Sequence, residues 1–452
     1  MGSSHALQLW GGIECTVNRV GDVFFDQLEY SGHTCRLHDL DAIAELNLQT
    51  LRYPVLWERT ERSDGVLDFA WSDRRLSRLQ QLGIEPIVGL LHHGSGPAHT
   101  SLLEPEFPNK LARYADAVAE RYPFVQRYTP VNEPLTTARF SALYGHWYPH
   151  ARDDRSFVRA LLNQCRGTVL AMAAIRRHNP QAQLVQTEDL GITRATEALQ
   201  YQADFENERR WLSFDLLCGK VTPQHALFRY LCRAGATLNE LAFFESNPCP
   251  PDVLGLNYYI TSERFLDDRL HHYAAQLRGG NGRDRYADVE AVRVCADGLV
   301  GVGRLLLQAY QRYSLPLVIT EAHLGSSAEQ QQSWLSYIWQ AALGAREGGA
   351  DVRAVTVWAL LGAFGWERLV TRPRGSYEAG AFSITGDALN LTPLFHWIRE
   401  LTRGRQRAVQ PGWWTLPGRL LYEPYAPKAR AHGAPALLLT GAQQGSALAV
   451  AE

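Results

Sequence analysis

Eight short apolar runs, most of them followed by a segment of helical periodicity, constrain the fold of this chain more strongly than any other feature. The runs have the length and the β-branched and aromatic content of strands. They span Leu7–Ile13, Thr50–Trp57, Pro86–His92, Tyr128–Asn132, Gln183–Thr187, Val253–Tyr259, Leu317–Thr320 and Ala354–Leu360. Helices are predicted between most of them, at Leu37–Leu46, Asp73–Leu82, Lys110–Arg121, Phe157–His178, Leu299–Tyr313 and Ala328–Arg346. Strands that alternate with helices are typical of βα units, whose strands form a parallel sheet.

Eight units of this kind predict an α/β fold, a (β/α)8 TIM barrel. A doubly wound sheet is the alternative, although it does not usually need eight similar units. The length of 452 residues suits one barrel domain with long βα loops, which we place at residues 7–425. Residues 1–6 resemble the scar of an expression tag, and residues 426–452 form a tail. The segment Asp267–Asp288, rich in Gly, Arg and Asp, predicts a long mobile loop or lid.

Composition argues against several classes of partner. A formal net charge of −2 gives no basis for binding nucleic acid or an anionic membrane. No apolar run approaches the roughly 20 residues of a membrane span. The seven cysteines are scattered without a Cys-x-x-Cys pair, which argues against a metal centre or a disulfide framework. We therefore predict a cytoplasmic, reduced protein that needs no metal or other cofactor, and the oligomeric state stays open.

The stretch Tyr128–Pro134 carries the first candidate for catalysis. It begins as a β-branched and aromatic run and then turns polar, and Pro134 ends the strand because it has no N–H to donate. Asn132 and Glu133 are thus placed at the carboxyl end of a strand, where parallel α/β folds carry their chemistry. A Glu in this position can act as a general acid, with the neighbouring amide orienting substrate hydroxyls. The simpler interpretation of this triplet alone is a solvated Glu before a turn.

A second glutamate, Glu321, ends the apolar run Leu315–Thr320 and strengthens the catalytic hypothesis. Two glutamates about 5–5.5 Å apart across the mouth of a barrel form the acid/base and the nucleophile of a retaining glycosidase. A separation of roughly 6.5–9.5 Å instead leaves room for the water of an inverting enzyme. The sequence leaves the separation open.

Polar and aromatic side chains also stand at the other predicted strand ends. They are Asn18, Arg52, Trp57, His92, His93, Glu188, Asp189, Asn257, Tyr258, Tyr259, Trp358 and Trp366. A single Trp or His of this kind is more often a core residue, but a whole face of them is hard to explain by packing. Sugars need such a mixture, because indole faces stack on C–H patches while amides, imidazoles and carboxylates pair with hydroxyls. The set therefore predicts a small carbohydrate or glycoside as the ligand.

Several of these runs resemble motifs of glycoside hydrolase family one, the β-glucosidase-like (β/α)8 enzymes. The matching runs occur in order along nearly the whole predicted barrel. They are L-W-G at residues 9–11, L-R-Y-P-V-L-W at 51–57, L-L-H-H at 90–93, V-N-E-P at 131–134, G-L-N-Y-Y at 255–259, I-T-E at 319–321 and W-A-L-L-G-A-F-G-W at 358–366.

This resemblance implies a role for each matching residue. It implies Glu133 as acid/base and Glu321 as nucleophile, with both catalytic carboxylates retained. The implied substrate-binding or supporting residues are Asn18 in place of a first-strand Gln, Arg52 and Tyr259 beside the nucleophile, His92 at the 3-hydroxyl, Asn132 at the 2-hydroxyl, Trp358 under the sugar and Trp366 as a further aromatic contact.

The sequence also departs from the family pattern. The nucleophile is followed by Ala322-His323 where the family usually has Asn-Gly, and His93 stands in place of a Trp. Asn18 is one methylene shorter than the usual Gln, and Gly365 replaces the Glu that binds the 4- and 6-hydroxyls. The catalytic pair is retained while the residues that select the sugar are altered.

These changes predict broad tolerance at C4 and C6. Because Gly365 and Asn18 remove hydrogen-bonding groups, discrimination against analogues that lack those hydroxyls is lost. Loss of a carboxylate also removes repulsion of an anionic C6 substituent. We therefore expect fucosides, galactosides or uronides to compete with glucosides. The alternative is that Glu367, Glu188 or Asp189 replaces the missing carboxylate and restores glucose recognition.

The tail contains a run, residues 436–445, that resembles the opening strand and glycine turn of a dTDP-4-dehydrorhamnose reductase-type domain. The chain stops before such a fold could be completed, so this resemblance implies a truncated remnant that binds no cofactor. An Ala-rich surface strand is an equal alternative.

The leading hypothesis is a retaining exo-β-glycosidase with altered sugar specificity. One alternative is a sugar-binding or regulatory module of deoxysugar polysaccharide synthesis with little hydrolytic activity. Another is a transglycosylase that uses the same covalent intermediate. Retention of both Glu133 and Glu321 favours an enzyme, because a binding module does not need both.

Overall fold

The computed structural model describes residues 6–405 and 409–426 of the chain. Eight parallel strands close into a barrel in which each strand pairs with its neighbours in sequence, and the last pairs with the first. They are β1 (Gln8–Gly12), β2 (Thr50–Pro54), β3 (Glu85–Gly89), β4 (Arg127–Thr129), β5 (Gln183–Asp189), β6 (Val253–Asn257), β7 (Leu317–Ala322) and β8 (Val352–Val357). The prediction of a (β/α)8 barrel is confirmed.

Helices follow the barrel strands and cover the outside of the barrel. The principal ones are Asp39–Ala44, Ala70–Gln81, Phe107–Arg121, Asp154–His178, Val302–Tyr313, Ala328–Glu347 and Pro393–Thr402. The β5–β6 connection carries Gln200–Arg209, Leu212–Leu217, Phe228–Arg233 and Leu238–Ser246, and shorter helices lie at Gln27–Tyr30, Trp57–Thr60 and Pro134–Ala138. Side chains fix some of the starts: Asp153 and Ser327 accept hydrogen bonds from the first-turn amides of the helices that they precede.

Residues that alternate along the barrel strands belong to two different apolar clusters, because successive side chains of a strand point to opposite faces. Leu51, Leu254 and Leu317 belong to the large core between barrel and helices. A smaller cluster of alternate residues fills the barrel interior, and it consists of Trp10, Ile87, Val185, Val253, Val318 and Ala354. The carboxyl ends of the strands above this interior layer carry the candidate site.

The segment Asp267–Asp288 contains paired strands where its composition predicts a long loop, and its mobility stays a prediction. Its ends belong to the antiparallel strands Glu263–Asp267 and Arg285–Glu290, which pair with Ile192–Ala195 and Arg278–Gly280 in a four-stranded sheet. Ala287 and Val289 are buried in an apolar cluster on this sheet. The prediction of a continuous loop was wrong because the Gly-rich residues 278–284 occupy only a short edge strand and the turn after it, while the ends of the segment pair in the sheet.

Short antiparallel pairs extend other loops. They are Val17–Val20 with Val23–Asp26, Glu61–Ser63 with Val66–Leu67, Ala363–Phe364 with Tyr377–Glu378, and Phe382–Thr385 with Ala388–Leu391. All seven cysteines lie in the described ranges and are free. Among the helices of those ranges, none combines the length and the apolar character needed to cross a membrane.

Candidate active site

Two buried glutamates lie at the carboxyl end of the barrel, one after β4 and one in β7. Glu133 is 3% exposed and Glu321 is 2% exposed. Glu321 lies within β7, while residues 130–132 separate Glu133 from the end of β4. The structure therefore brings the two candidate catalytic residues to one end of the same barrel.

Glu321 is held by two donors, one on β2 and one just after β6. Arg52 Nη1 donates to its Oε1 at 2.8 Å, and the hydroxyl of Tyr259 donates to its Oε2. Burial raises the pKa of Glu321 to about 7, although Arg52 and Tyr259 both act to lower it. These two donors stabilise the ionised carboxylate against the cost of desolvation.

Glu133 is placed in an environment that favours its proton. Its Oε1 accepts a hydrogen bond from Asn257 Nδ2 at 2.5 Å. Burial, and then the negative charges of Glu321, Asp189 and Glu188, raise its pKa well above the usual range. Because no guanidinium contacts Glu133 within the described ranges, the proton of the pair belongs on Glu133 rather than on Glu321.

The backbone at Glu133 is strained. Its φ of 46° and ψ of 63° lie in the left-handed region, which a non-glycine residue adopts at a cost. Glu133 precedes the helix Pro134–Ala138, whose first free amides donate to Glu188, at 3.0 Å from Leu135 N and 3.1 Å from Thr136 N. A buried carboxylate therefore anchors the helix start that holds Glu133 in this conformation.

Asn132 is oriented by two donors to the same oxygen. Arg52 Nη2 and Thr187 Oγ1 each donate to Asn132 Oδ1 at 2.7 Å. Since the oxygen is taken by donors, the amide nitrogen is directed the other way, where it lies 3.4 Å from Nε2 of both His92 and His93. This arrangement leaves Asn132 as a donor toward the centre of the site.

Two neutral imidazoles and two indoles line one side of the site. His92 stacks on Trp358 with ring centroids 5.4 Å apart and an interplanar angle of 7°. His93 packs edge-on against Trp366 at 5.6 Å, and its Nδ1 lies 3.0 Å from Thr137 Oγ1. Burial lowers the pKa of His92 well below its usual value and that of His93 to about 3. Both rings are therefore uncharged near neutral pH.

Trp358 packs closely against β1, and this placement depends on a glycine. A Cβ on Gly12 would stand 2.4 Å from Cε3 of the Trp358 ring. The indole Nε1 then reaches Glu14, to whose Oε2 it donates at 3.2 Å. Sequence reasoning missed Glu14. The available signal was its position, since residues 10, 12 and 14 share one face when the strand alternation continues past β1.

Asn18 is at the edge of the site and its side chain is engaged by the main chain. Its Nδ2 donates to the carbonyl of Val370 at 2.9 Å, and the indole of Trp147 donates to the neighbouring carbonyl of Leu369 at 2.7 Å. Gly365, Leu369 and Val370 all have positive φ, so the chain folds tightly here. The segment 365–370 thereby covers the Asn18 side of the site.

The three acids that could replace the missing carboxylate are engaged elsewhere. Glu188 accepts from Ser213 Oγ at 2.7 Å in addition to the two helix amides. Asp189 accepts from Ser262 Oγ, and the exposed Glu367 accepts from Ser376 N at 2.8 Å. The structure therefore gives no support to the alternative in which one of them restores the 4- and 6-hydroxyl contacts.

A closed parallel barrel whose strand ends bring two buried carboxylates together among aromatic side chains is the arrangement of a barrel glycoside hydrolase. The model of glycosyl hydrolase family 1 matches residues 29–374, and the chain belongs to this family. The prediction of a glycoside hydrolase is thereby confirmed.

Relatives and solved structures agree with this assignment. The chain is 23% identical to β-glucosidase 47 of Arabidopsis thaliana over 383 residues, which is 75% of this chain and 70% of the relative. It is 26% identical to a 6-phospho-β-glucosidase of Dickeya chrysanthemi over 65% of this chain and 66% of the relative. The family 1 β-glucosidase from Thermotoga maritima, also solved with deoxynojirimycin, has a similar fold. The match to the Thermotoga maritima family 1 enzyme has a TM-score of 0.71 at 17% sequence identity, and it covers 90% of this chain and all of the Thermotoga maritima chain.

The resemblance of the tail to a dTDP-4-dehydrorhamnose reductase-type domain has no such support. The family match ends at residue 374, and the run 436–445 lies outside the described residues. The division of the chain into residues 1–6, 7–425 and 426–452 likewise stays a prediction.

Proposed function

We propose that this protein is a retaining exo-β-glycosidase that hydrolyses β-O-glycosides through a covalent glycosyl-enzyme. The observation that carries the proposal is the contrast between the two glutamates. Glu321 receives hydrogen bonds from Arg52 and Tyr259 that favour the carboxylate. Glu133 is buried beside like charges that favour the protonated acid. Paired carboxyl groups with opposite protonation preferences are what a glycosidase needs.

The proposed reaction has two displacements. In the first, an oxygen of Glu321 attacks the anomeric carbon, the glycosidic C–O bond breaks, and Glu133 transfers its proton to the leaving oxygen. In the second, Glu133, now a carboxylate, accepts a proton from water while the water oxygen attacks the anomeric carbon and releases Glu321. Asn132 would donate to the sugar, and Trp358 would pack under its ring.

The proposed substrates carry a small sugar whose C4 and C6 are loosely recognised. Gly365 supplies no carboxylate, and the amide nitrogen of Asn18 is engaged by the carbonyl of Val370, which leaves only the Oδ1 acceptor of Asn18 for a sugar hydroxyl. A site without partners for particular hydroxyls cannot reject sugars that lack or invert them. The deoxynojirimycin complex of the Thermotoga maritima enzyme supports a monosaccharide-sized ligand in a barrel of this kind.

We expect 4-nitrophenyl β-glucoside, β-galactoside and β-fucoside to be hydrolysed with values of kcat/KM within about 10-fold of one another. Proton NMR of the first-formed sugar should show the β-anomer, since two displacements restore the configuration. An α-anomer would overturn the retaining mechanism. A glucoside preference of about 10³-fold, roughly 4 kcal/mol, would instead mean that the 4- and 6-hydroxyls have partners.

The hydrogen bond from Tyr259 should set the acidic limb of the pH–rate profile. The pKa of Glu321 is about 7 with this bond in place, and activity requires the ionised form. Removing the donor in Tyr259→Phe removes a cause that lowers this pKa, so the limb should move to higher pH. The value of kcat should also fall by about 10-fold or more, the usual cost of losing a hydrogen bond to a charged group.

The matched control for this change is Tyr258→Phe. Tyr258 is the adjacent tyrosine, and its hydroxyl bonds to Glu263 rather than to Glu321. The pH–rate profile of this variant should keep the acidic limb of the unmodified protein. If both variants shifted the limb equally, the assignment of the limb to Glu321 would be wrong.

A further inference from the structure

Glu14 is a third buried carboxylate in the candidate site, and neither the two-glutamate mechanism nor the family motifs use it. It is 4% exposed. Its Oε1 accepts from Thr16 N at 2.9 Å, and its Oε2 accepts from Trp358 Nε1 at 3.2 Å. Among the described residues, Glu14 has no ion-pair partner. Each carboxylate oxygen can accept a further hydrogen bond, so the group retains free capacity.

The side chain of Glu14 belongs to the inner face of the barrel mouth. Trp10 lies in the interior cluster, and Gly12 lies close against the Trp358 ring. Glu14 continues this alternation by one more step and contacts Trp358. Its negative charge also acts on Glu321, whose pKa burial raises first and Glu14 raises further. Glu14 is therefore electrostatically part of the same site as the proposed nucleophile.

The site has more negative than positive side chains. In the part of the chain that the structure describes, Arg52 bonds to one carboxylate of the site, Glu321, and is shared with Asn132 Oδ1 and the carbonyl of Thr320. The charge of Arg139 acts instead on Glu188 and Asp189. His92 and His93 cannot supply positive charge, because burial holds both rings neutral. Even with a proton on Glu133, two carboxylates face one guanidinium.

A buried carboxylate without a cationic partner is costly for a folded protein, unless a ligand supplies the missing charge. A protonated amine is the group that fits, because it is positive and carries up to three donors, and Glu14 offers unused acceptor positions. An anionic sugar would instead meet two carboxylates. A neutral sugar could use Glu14 only as an acceptor for a hydroxyl.

We propose that Glu14 is the recognition group for a protonated amine on the substrate, so that the preferred substrates are β-glycosides of amino sugars. This proposal rests on the proposed glycosidase function for its substrate class. It also reverses one expectation drawn from Gly365 alone. Loss of a carboxylate at that position favours anionic sugars, but Glu14 places another carboxylate in the site, and we expect uronides to be poor substrates.

The competing explanation is that Glu14 only holds the Trp358 indole in place. The two roles make different demands, since positioning affects every substrate alike, whereas charge recognition changes the rates of charged sugars relative to the neutral glucoside. The chain offers a matched control in Glu61, which is 8% exposed. Glu61 accepts from one indole, Trp57 Nε1 at 2.6 Å, and from one amide, Gly65 N at 2.8 Å. Like Glu14 it accepts from one indole and one amide, but the indole is Trp57 rather than Trp358, and its Oε1 also lies 3.5 Å from Nε2 of His99.

The test compares the unmodified protein with Glu14→Gln and Glu61→Gln. The substrates are 4-nitrophenyl β-glucoside, its 2-, 3- and 6-amino-deoxy analogues and the β-glucuronide, at about pH 6, where the amines are protonated. At least one amino sugar should exceed the glucoside in kcat/KM by about 10-fold or more. This preference should disappear in Glu14→Gln and persist in Glu61→Gln. Glucuronide hydrolysis should rise in Glu14→Gln relative to glucoside hydrolysis.

Two results would overturn the proposal. One is that no amino sugar is preferred by the unmodified protein. The other is that Glu14→Gln lowers kcat/KM for the amino sugar and for the glucoside by the same factor, which would assign Glu14 to positioning Trp358.

Calorimetric titration with the methyl β-glycosides separates this proposal from the proposed hydrolysis. Amine-selective binding that depends on Glu14, without turnover of any aryl glycoside, would keep the amine site and overturn the glycosidase function. Hydrolysis of the aryl glycosides, with equal binding of amino and neutral methyl glycosides, would keep the glycosidase function and overturn the amine site.

Discussion

Replacement of Glu321 by alanine should lower kcat for an aryl β-glycoside by roughly 10⁴-fold or more, which is about 5.5 kcal/mol of transition-state stabilisation. The side chain removed is the proposed nucleophile, so the covalent intermediate can no longer form. Arg52 and Tyr259 would both lose their carboxylate partner. No other described acid can take the role, because Glu133 is needed as the proton donor and Glu14 is bonded on the β1 side of the site.

Added azide provides the internal control for this variant. Azide is small enough to occupy the volume of the missing carboxylate and to attack the anomeric carbon from the same side. It should restore turnover and give the α-glycosyl azide, because a single displacement inverts the configuration. Rescue would show that the barrel and Glu133 are intact. Residual hydrolysis above about 10% of the original rate would remove Glu321 from the nucleophile's role.

The strands of the barrel could be predicted closely because each is a separate apolar run, whereas their ends depend on polar groups that a pattern does not weigh. The predicted strand Tyr128–Asn132 is observed as Arg127–Thr129. Pro130, rather than the expected Pro134, ends the strand because it has no N–H to continue the ladder. Asn132 lies beyond the strand end in an isolated bridge to His92. The catalytic turn therefore starts earlier than hydrophobicity indicates.

The site residues that a motif places at a strand end could be predicted from the sequence. The hydrogen-bond partners that come from distant segments of the chain could not. Arg52 and Tyr259 lie beside Glu321 as the family resemblance implies. The engagement of Asn18 by Val370 joins positions 352 residues apart, and nothing local to Asn18 indicates it. Glu14 was missed because a single Glu between Ile13 and Cys15 resembles an ordinary strand end until the ring of Trp358 is placed beside it.

The environments of the two glutamates explain why one site can hold an acid and a base. Burial acts on both carboxyl groups and raises both pKa values. The difference comes from their neighbours. Glu321 has a guanidinium and a phenol as donors, while Glu133 has one amide donor, the neutral imidazole of His93 at 3.8 Å and the charges of other acids nearby. The strained backbone at Glu133 and the helix anchored by Glu188 keep this second environment in place.

Replacement of Glu133 by alanine should therefore lower kcat/KM most for the substrates whose leaving group is the most basic. A methyl or alkyl β-glycoside needs a proton on its leaving oxygen, so its kcat/KM should fall by about 10²–10⁴-fold, the usual contribution of general acid catalysis. A 2,4-dinitrophenyl glycoside leaves as a stable anion and should lose far less in the bond-breaking step. The measurement is the ratio of the two losses, taken from initial rates on both substrates.

Two further measurements test the assignment of Glu133 as the acid/base. The basic limb of the pH–rate profile should vanish in Glu133→Ala, because that limb reports the proton on Glu133, whose pKa is raised well above the usual range. Glu61→Gln, which alters a buried carboxylate away from the candidate site, should leave the ratio between substrates unchanged. Equal losses on the alkyl and the dinitrophenyl glycosides would mean that the missing side chain supported the fold of the turn after β4. In that case the proton would come from another group, and the contrast between the two glutamates would not be the basis of the chemistry.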